Sequence, residues 1–156
     1  MIRTVIAASL LPLAIGAAHA ASWEPVPGQN EDAPRAVYSE TDNGSALLTC
    51  NAEGQLTAIL SQVTENFAEK LETPAAYRRA VDVEMTTPDR QSEATWTSLP
   101  AIKTIVSGTH SVGAKVFNSV VRQETLDVKV DGQDFVSIEL PAIDDSFKAF
   151  AKTCRS

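Results

Sequence analysis

The chain contains two cysteines, Cys50 and Cys154, which lie near the two ends of the part that is expected to fold. In an oxidising compartment, two thiols in one small domain are most simply a single disulfide. In the chain-entropy description, closing a loop of about 100 residues stabilises the folded state by about 4 to 5 kcal/mol. The pair therefore predicts one domain whose last element is tied to an early one.

The first twenty residues have the pattern of an export signal. A short basic start, Met1-Ile2-Arg3, precedes an apolar run at 5–17, and Ala18-His19-Ala20 supplies the small residues of a cleavage site. The alternative is an anchor that stays in place, but the apolar run is short for a bilayer span. We predict cleavage after Ala20, a periplasmic or secreted protein, and no membrane span in the mature chain.

The charge of the chain excludes some classes of partner. The sequence has 13 Lys and Arg against 20 Asp and Glu, and its formal net charge is −7. The signal carries Arg3 and no acid, so its removal changes the formal net charge to −8 (−7 minus the lost +1). Nucleic acid and anionic lipid attract proteins with clustered Lys and Arg. We therefore expect no nucleic-acid partner.

The mature sequence is organised as a lead-in followed by one domain. Residues 21–34 contain three prolines and several turn-forming residues, which predicts an irregular segment that Trp23 anchors to the domain. Residues 35–156 are expected to form the single domain. After a short strand from Arg35, alternating apolar and polar residues predict strands at 46–50, 56–60, 77–85, 94–98, 126–130 and 135–140. Asp131-Gly132 is a strong hairpin pattern between the last two.

Two segments have helical spacing. The first is 111–122, where the apolar residues fit a helix but four valines disfavour it, so its structure is left open. The second is Ser146–Thr153, with Asp144 or Asp145 as its cap. Residues 65–74 fit either a short helix or a hairpin loop. Together these patterns predict an α+β fold: a single antiparallel β-sheet or sandwich of six or seven strands, with one middle helix and one C-terminal helix, stapled by the disulfide.

Few residues of the chain offer catalytic or metal-binding chemistry. The mature sequence has one histidine, His110, near Ser107 and Ser111, but no nucleophile-elbow motif accompanies them. With both cysteines in a disulfide, too few Cys and His ligands are left for zinc. The spacing of the aspartates around residue 130 does not match the helix-loop-helix calcium loop. The sequence therefore predicts no catalytic residues, no metal and no cofactor, and we expect a protein that is not an enzyme.

One set of residues combines basic and aromatic side chains. Tyr77, Arg78 and Arg79 open a predicted strand, and Trp96 lies on the strand expected to pair with it. Charged residues of this kind often protect a sheet edge from unwanted pairing. The alternative is a patch that binds a protein partner, with Trp96 either on that surface or in the core.

A resemblance to a known family rests on several features taken in order. These are a strand ending in Cys50, Tyr77-Arg78-Arg79 before Val81-Asp82-Val83, Trp96-Thr97-Ser98, the final hairpin, and Phe147-x-x-Phe150-x-x-x-Cys154. Over about Ala46 to Cys154 the chain resembles the small periplasmic proteins associated with type VI secretion (VasI-like proteins) and their uncharacterised relatives. The resemblance implies a shared fold and a secretion-related partner, and it supplies no catalytic residues.

Three functions are compatible with these patterns. The first is a soluble, non-enzymatic periplasmic protein that binds another envelope or secretion-related protein. The second is an inhibitor of a periplasmic or secreted hydrolase, because a small acidic β domain would attract a basic enzyme. The third is a small-molecule or metal binder with its site in a β cleft. The identity of the partner and the oligomeric state are not contained in the sequence.

Overall fold

The computed structural model describes residues 21–72 and 77–155, so the predicted signal at 1–20 and the expected turn at 73–74 lie outside it. Nine strands form one antiparallel sheet that curls into a half-barrel. The strands are β1 (Glu24–Pro25), β2 (Ala36–Thr41), β3 (Gly44–Cys50), β4 (Leu56–Ser61), β5 (Arg79–Thr87), β6 (Arg90–Leu99), β7 (Thr104–Ser107), β8 (Thr125–Val130) and β9 (Gln133–Glu139). The helices are α1 (Phe67–Leu71), α2 (His110–Arg122) and α3 (Asp145–Thr153).

The strands follow the order β1-β2-β3-β4-β7-β6-β5-β8-β9 across the sheet, and every neighbouring pair is antiparallel. The predicted single antiparallel sheet is therefore confirmed, whereas the sandwich is not formed, because all nine described strands belong to one sheet. The expected six or seven strands were too few. The missed strands are β1, two residues long inside the proline-rich lead-in, and β7, whose Ile105-Val106 has no clear alternation.

The core lies on the concave face of the sheet. Along β5 the side chains of Val81, Val83 and Met85 are buried, as the two-residue alternation predicts. The partner strands contribute Trp96 from β6 and Leu126 from β8 to the same core. The opposite face is not wholly polar, because Leu47 of β3 is also buried but lies outside this core cluster.

Helix α2 covers the concave face and confirms that the open segment 111–122 is helical. Its inner side chains, Val112, Val116 and Val120, are buried. Helix α2 approaches β4 so closely that position 113 must be glycine. A Cβ atom on Gly113 would lie 2.5 Å from the backbone oxygen of Leu56. This contact fixes the depth at which the helix sits in the half-barrel.

The edge strand β9 approaches the start of β3, the third strand from the other edge of the sheet. A Cβ atom on Gly44 would lie 2.7 Å from Cγ2 of Val136 on β9. The side-chain amide of Gln62, just after β4, donates to the backbone oxygen of Phe135 at 2.6 Å. The hydrogen bond occupies a carbonyl of the edge strand β9 that would otherwise be open to another strand.

The C-terminal helix α3 is held at both of its ends. At its start, the side chain of Asp144 accepts hydrogen bonds from the backbone N–H of Phe147 at 2.9 Å and of Trp23 at 2.8 Å. Trp23 is buried and anchors the lead-in as predicted. After the helix, Cys154 forms the expected disulfide with Cys50 at the end of β3, with a Cα–Cα distance of 5.9 Å. The disulfide and the cap therefore fix α3 to the sheet.

Candidate functional site

The predicted patch around Tyr77, Arg78, Arg79 and Trp96 is only partly brought together. Trp96 is 1% exposed and lies opposite Val81 on the concave face, so its ring packs in the core and is closed to a partner. The reason is the alternation along β6, which turns residue 96 inward together with residues 94 and 98. The exposed part of the patch consists of Tyr77, with 61% of its surface exposed, and the two arginines.

Arg79 already has a partner within the protein. Its guanidinium donates to Oδ2 of Asp131 at 2.8 Å, and the other oxygen of this carboxylate accepts from the backbone N–H of Asp82 at 3.1 Å. The hydrogen bond from Arg79, followed by that from Asp82, lowers the pKa of Asp131 below its ordinary value of 3.8. Arg79 therefore fastens the β8–β9 turn to β5, which leaves Tyr77 and Arg78 as the free part of the patch.

His110 and its neighbouring serines do not form a catalytic arrangement. Nδ1 of His110 accepts a hydrogen bond from the backbone N–H of Leu56 at 2.8 Å. The hydroxyl of Ser107 accepts from the backbone N–H of Ala58, and that of Ser111 lies 3.1 Å from the hydroxyl of Thr109. Each group is thus engaged elsewhere, and the histidine serves to attach the start of α2 to β4.

The carboxylates do not assemble into a metal site in the part of the chain that the structure describes, where no group of three His, Cys, Asp or Glu residues could hold an ion. Asp127 accepts from the hydroxyl of Ser137 across the β8–β9 ladder at 2.6 Å. Asp131 is bound to Arg79, as described above. The aspartates around residue 130 therefore have roles within the hairpin.

An apolar groove lies between helices α2 and α3, with a volume of about 390 Å³. Phe117 and Val121 stand one turn apart on α2, and Phe147 and Ala151 stand one turn apart on α3, so each helix presents an apolar row to the groove. Ile143 lines the same groove just before α3. Val121 is 46% exposed, and it is the one large aliphatic side chain among the described residues that is exposed. We refer to this feature as the α2–α3 groove.

The floor of the α2–α3 groove is part of an aromatic cluster. The ring of Phe117 stacks on that of Phe147 with 5.1 Å between centroids, and Phe147 also contacts Trp23 at 5.3 Å. Phe150 completes the cluster at 6.3 Å from Phe117. Because the cluster joins both helices to the lead-in, the shape of the groove is set by packed rings.

The rim of the α2–α3 groove is basic in a protein that is acidic overall. Lys148, Lys152 and Arg155 line it. Lys148 forms an exposed pair with Asp145 at 2.9 Å, whereas Lys152 and Arg155 have no ion-pair partner among the described residues. The groove therefore combines exposed apolar surface with unmatched positive charge.

Part of this groove is visible in the sequence. The sequence predicts that the apolar residues of 111–122 fit a helix, and the structure divides them into an inner row and the row of Phe117 and Val121. What the sequence does not contain is the placement of α3 beside α2, which brings the second row and the bases together.

No helix in the described ranges combines the length and the hydropathy needed to cross a membrane. Comparison with known proteins finds no matching family model, no similar curated sequence and no similar solved structure.

Proposed function

We propose that this chain is a non-enzymatic periplasmic protein that binds an acidic, amphipathic helix of another envelope protein in the α2–α3 groove. The observation that carries the proposal is the combination of a half-exposed Val121 on an apolar floor with a basic rim of Lys152 and Arg155. The export pattern supports the compartment, and the disulfide suits an oxidising one.

The apolar floor supports an amphipathic partner. Removing apolar surface from water gains about 25 cal/mol per Å². A groove between two helices is a common receptor for a third helix, whose apolar side chains recur every three or four residues. The rows of Phe117 with Val121 and of Phe147 with Ala151 each offer that spacing.

The rim supports an acidic partner. Lys152 and Arg155 are long side chains whose stems extend the apolar surface while their charges face solvent. Asp and Glu residues flanking the apolar stripe of a partner would pair with them, and such pairing favours association rate and register. The resemblance to proteins associated with type VI secretion offers a class of envelope partner to examine first.

The proposal is tested by affinity capture from a periplasmic extract with the folded, oxidised protein as bait. The decisive variant neutralises the rim, Lys152→Ala/Arg155→Ala, and the matched control neutralises the other exposed basic site, Arg78→Ala/Arg79→Ala. We expect the rim variant to lose its partner and the control to keep it. A synthetic peptide covering the acidic amphipathic segment of the captured protein should then bind the wild type and not the rim variant.

Three results would contradict the proposal. One is equal recovery of the partner by wild type and rim variant. Another is loss of the partner with the control variant only, which would assign binding to the patch of Tyr77 and Arg78. The third is recovery of a second copy of this chain in place of a different protein. Circular dichroism of each bait shows that it is folded.

A further inference from the structure

A second cavity, of about 230 Å³, lies beneath α2 at the tip of the β5–β6 hairpin. Its base is formed by Met85 of β5 and Leu126 of β8, both buried. Ser119 of α2 covers it from above and is 2% exposed. The exposed side chains of Arg90 and Lys115 stand at its opening. We refer to it as the hairpin cavity.

The hairpin cavity results from a decrease in side-chain size along the inward face of the hairpin. On β6 the inward residues run from Trp96 through Ala94 to Ser92, and Ser92 lies opposite Met85. Directly above, α2 places Ser119, whose hydroxyl donates back to the carbonyl of Lys115 at 3.1 Å. Protein interiors seldom leave voids much larger than a water molecule. Here small residues from two elements coincide and leave one.

The opening of the hairpin cavity has one unmatched positive charge. Arg90 donates to the carboxylate of Glu124 at 2.7 Å, and Glu124 is only 8% exposed. This pair holds the guanidinium in place, and the other oxygen of the same carboxylate lies 3.9 Å from Nη1 of Arg122. Lys115 has no ion-pair partner within the described ranges. The cavity therefore presents an apolar base of Met85 and Leu126 and a single unpaired ammonium group. Its uncharged polar lining consists of Thr87, Gln91, Ser92 and Ser119.

We infer that the hairpin cavity is a binding site for a small monocarboxylate with an apolar body. An apolar cavity of about 150 Å³ holds benzene, so this one accommodates an aliphatic or aromatic body of about six to eight carbons. The body contacts Met85 and Leu126, and the carboxylate pairs with Lys115. Ligand sites commonly have this form, an apolar pocket with a few polar groups that fix orientation. The inference is independent of the proposed function, since the groove and the cavity have no lining residue in common.

The test is a titration of the oxidised protein with octanoate, followed through methyl NMR signals of Met85 and Leu126 and through calorimetry. We expect saturable shifts of both signals. Lys115→Gln should weaken octanoate binding about tenfold or more, because a hydrogen bond to a charged group is lost. The neutral probe 1-octanol should bind wild type and Lys115→Gln alike. Ser119→Leu, which fills the cavity, should abolish binding of both probes.

Two further variants separate filling of the cavity from a failure to fold and from changes in the α2–α3 groove. If Ser119→Leu does not fold, Ser92→Leu fills the same cavity from β6 and is expected to have the same effect. Val121→Ser/Lys152→Gln alters only the α2–α3 groove and should leave octanoate affinity unchanged. The inference is overturned if wild type shows no saturable binding at millimolar octanoate, if a folded cavity-filling variant binds as wild type does, or if the groove variant is the one that loses binding. Capture of the protein partner by Lys115→Gln should be unaffected, so failure of one proposal does not imply failure of the other.

Discussion

Asp131 illustrates how a single residue fastens two elements together. It adopts a left-handed conformation with φ 51° in the β8–β9 turn, and its carboxylate binds Arg79 and the backbone of Asp82 on β5. Asp tolerates this conformation better than most residues because its short polar side chain bonds locally. The turn pattern was predicted from the sequence, but the partner of its carboxylate was not, since residues 79 and 131 are 52 positions apart.

The lowered pKa of Asp131 predicts an acid-dependent contribution to stability. A carboxyl group with a depressed folded pKa stabilises the protein above its unfolded pKa, and the contribution is lost as pH falls through the folded value. We expect Asp131→Asn, which keeps the turn conformation, to be less stable than wild type at pH 7. The difference should shrink as pH falls below about 3.8. Urea unfolding of both proteins from pH 7 to pH 2.5 measures it, and a difference that does not change with pH would contradict the assignment.

For the substitution Gly113→Ala, helix propensity and core packing predict opposite changes in stability. In an exposed helix, replacing Gly by Ala stabilises by about 1 kcal/mol. In α2, the added Cβ would lie 2.5 Å from the oxygen of Leu56, which belongs to the backbone and cannot rotate away. We therefore expect Gly113→Ala to destabilise by about 1 to 3 kcal/mol, the usual cost of overpacking. Chemical denaturation measures the change, and a gain in stability would show that α2 does not sit this close to β4.

At the scale of elements, seven of the nine described strands overlap a segment that the sequence predicts. The segments at 46–50, 56–60, 77–85 and 126–130 overlap β3, β4, β5 and β8, those at 94–98 and 135–140 overlap β6 and β9, and the short strand from Arg35 overlaps β2. The strand β7 was missed because Ile105 and Val106 are consecutive apolar residues without alternation. The existence of α2 could not be decided locally, since its valines are stabilised in a helix by tertiary packing.

Helix α2 has two apolar rows that differ in burial. Substituting two adjacent valines, one from each row, tests this difference. Val120 is fully buried in the inner row, whereas Val121 lies in the half-exposed row of the groove. We expect Val120→Ala to lower the free energy of unfolding by about 1 to 3 kcal/mol. Val121→Ala should change it by no more than about 0.5 kcal/mol. Parallel thermal and urea unfolding compares the two, and equal losses would mean that Val121 is covered within the protein itself.

At the scale of the whole molecule, the disulfide and the aromatic cluster position α3 beside α2. The disulfide joins residues 104 positions apart. The sequence predicted this link from two cysteines and an oxidising compartment. It could not predict the α2–α3 groove, because that surface depends on where α3 crosses the helix before it, which no local pattern specifies.

Removing the disulfide should weaken the whole fold. We expect Cys50→Ala/Cys154→Ala to lose about 2 to 5 kcal/mol of stability, since the loop constraint on the unfolded chain is released. The loss is measured by denaturation of the double variant beside the oxidised wild type. Thiol titration of the unfolded, unreduced wild type should find no free thiol. Two free thiols, or an equally stable double variant, would contradict the role assigned to the pair.

Site-specific photo-crosslinking tests whether a partner protein occupies the α2–α3 groove, as we propose. A photoreactive residue is placed at Val121 in the groove and, as a control, at the exposed Lys129 on the outer face of β8. Irradiation of cells that export each variant should give a crosslink to one other envelope protein from position 121 and none from position 129. Absence of a crosslink at 121, or the same product from both positions, would contradict the claim.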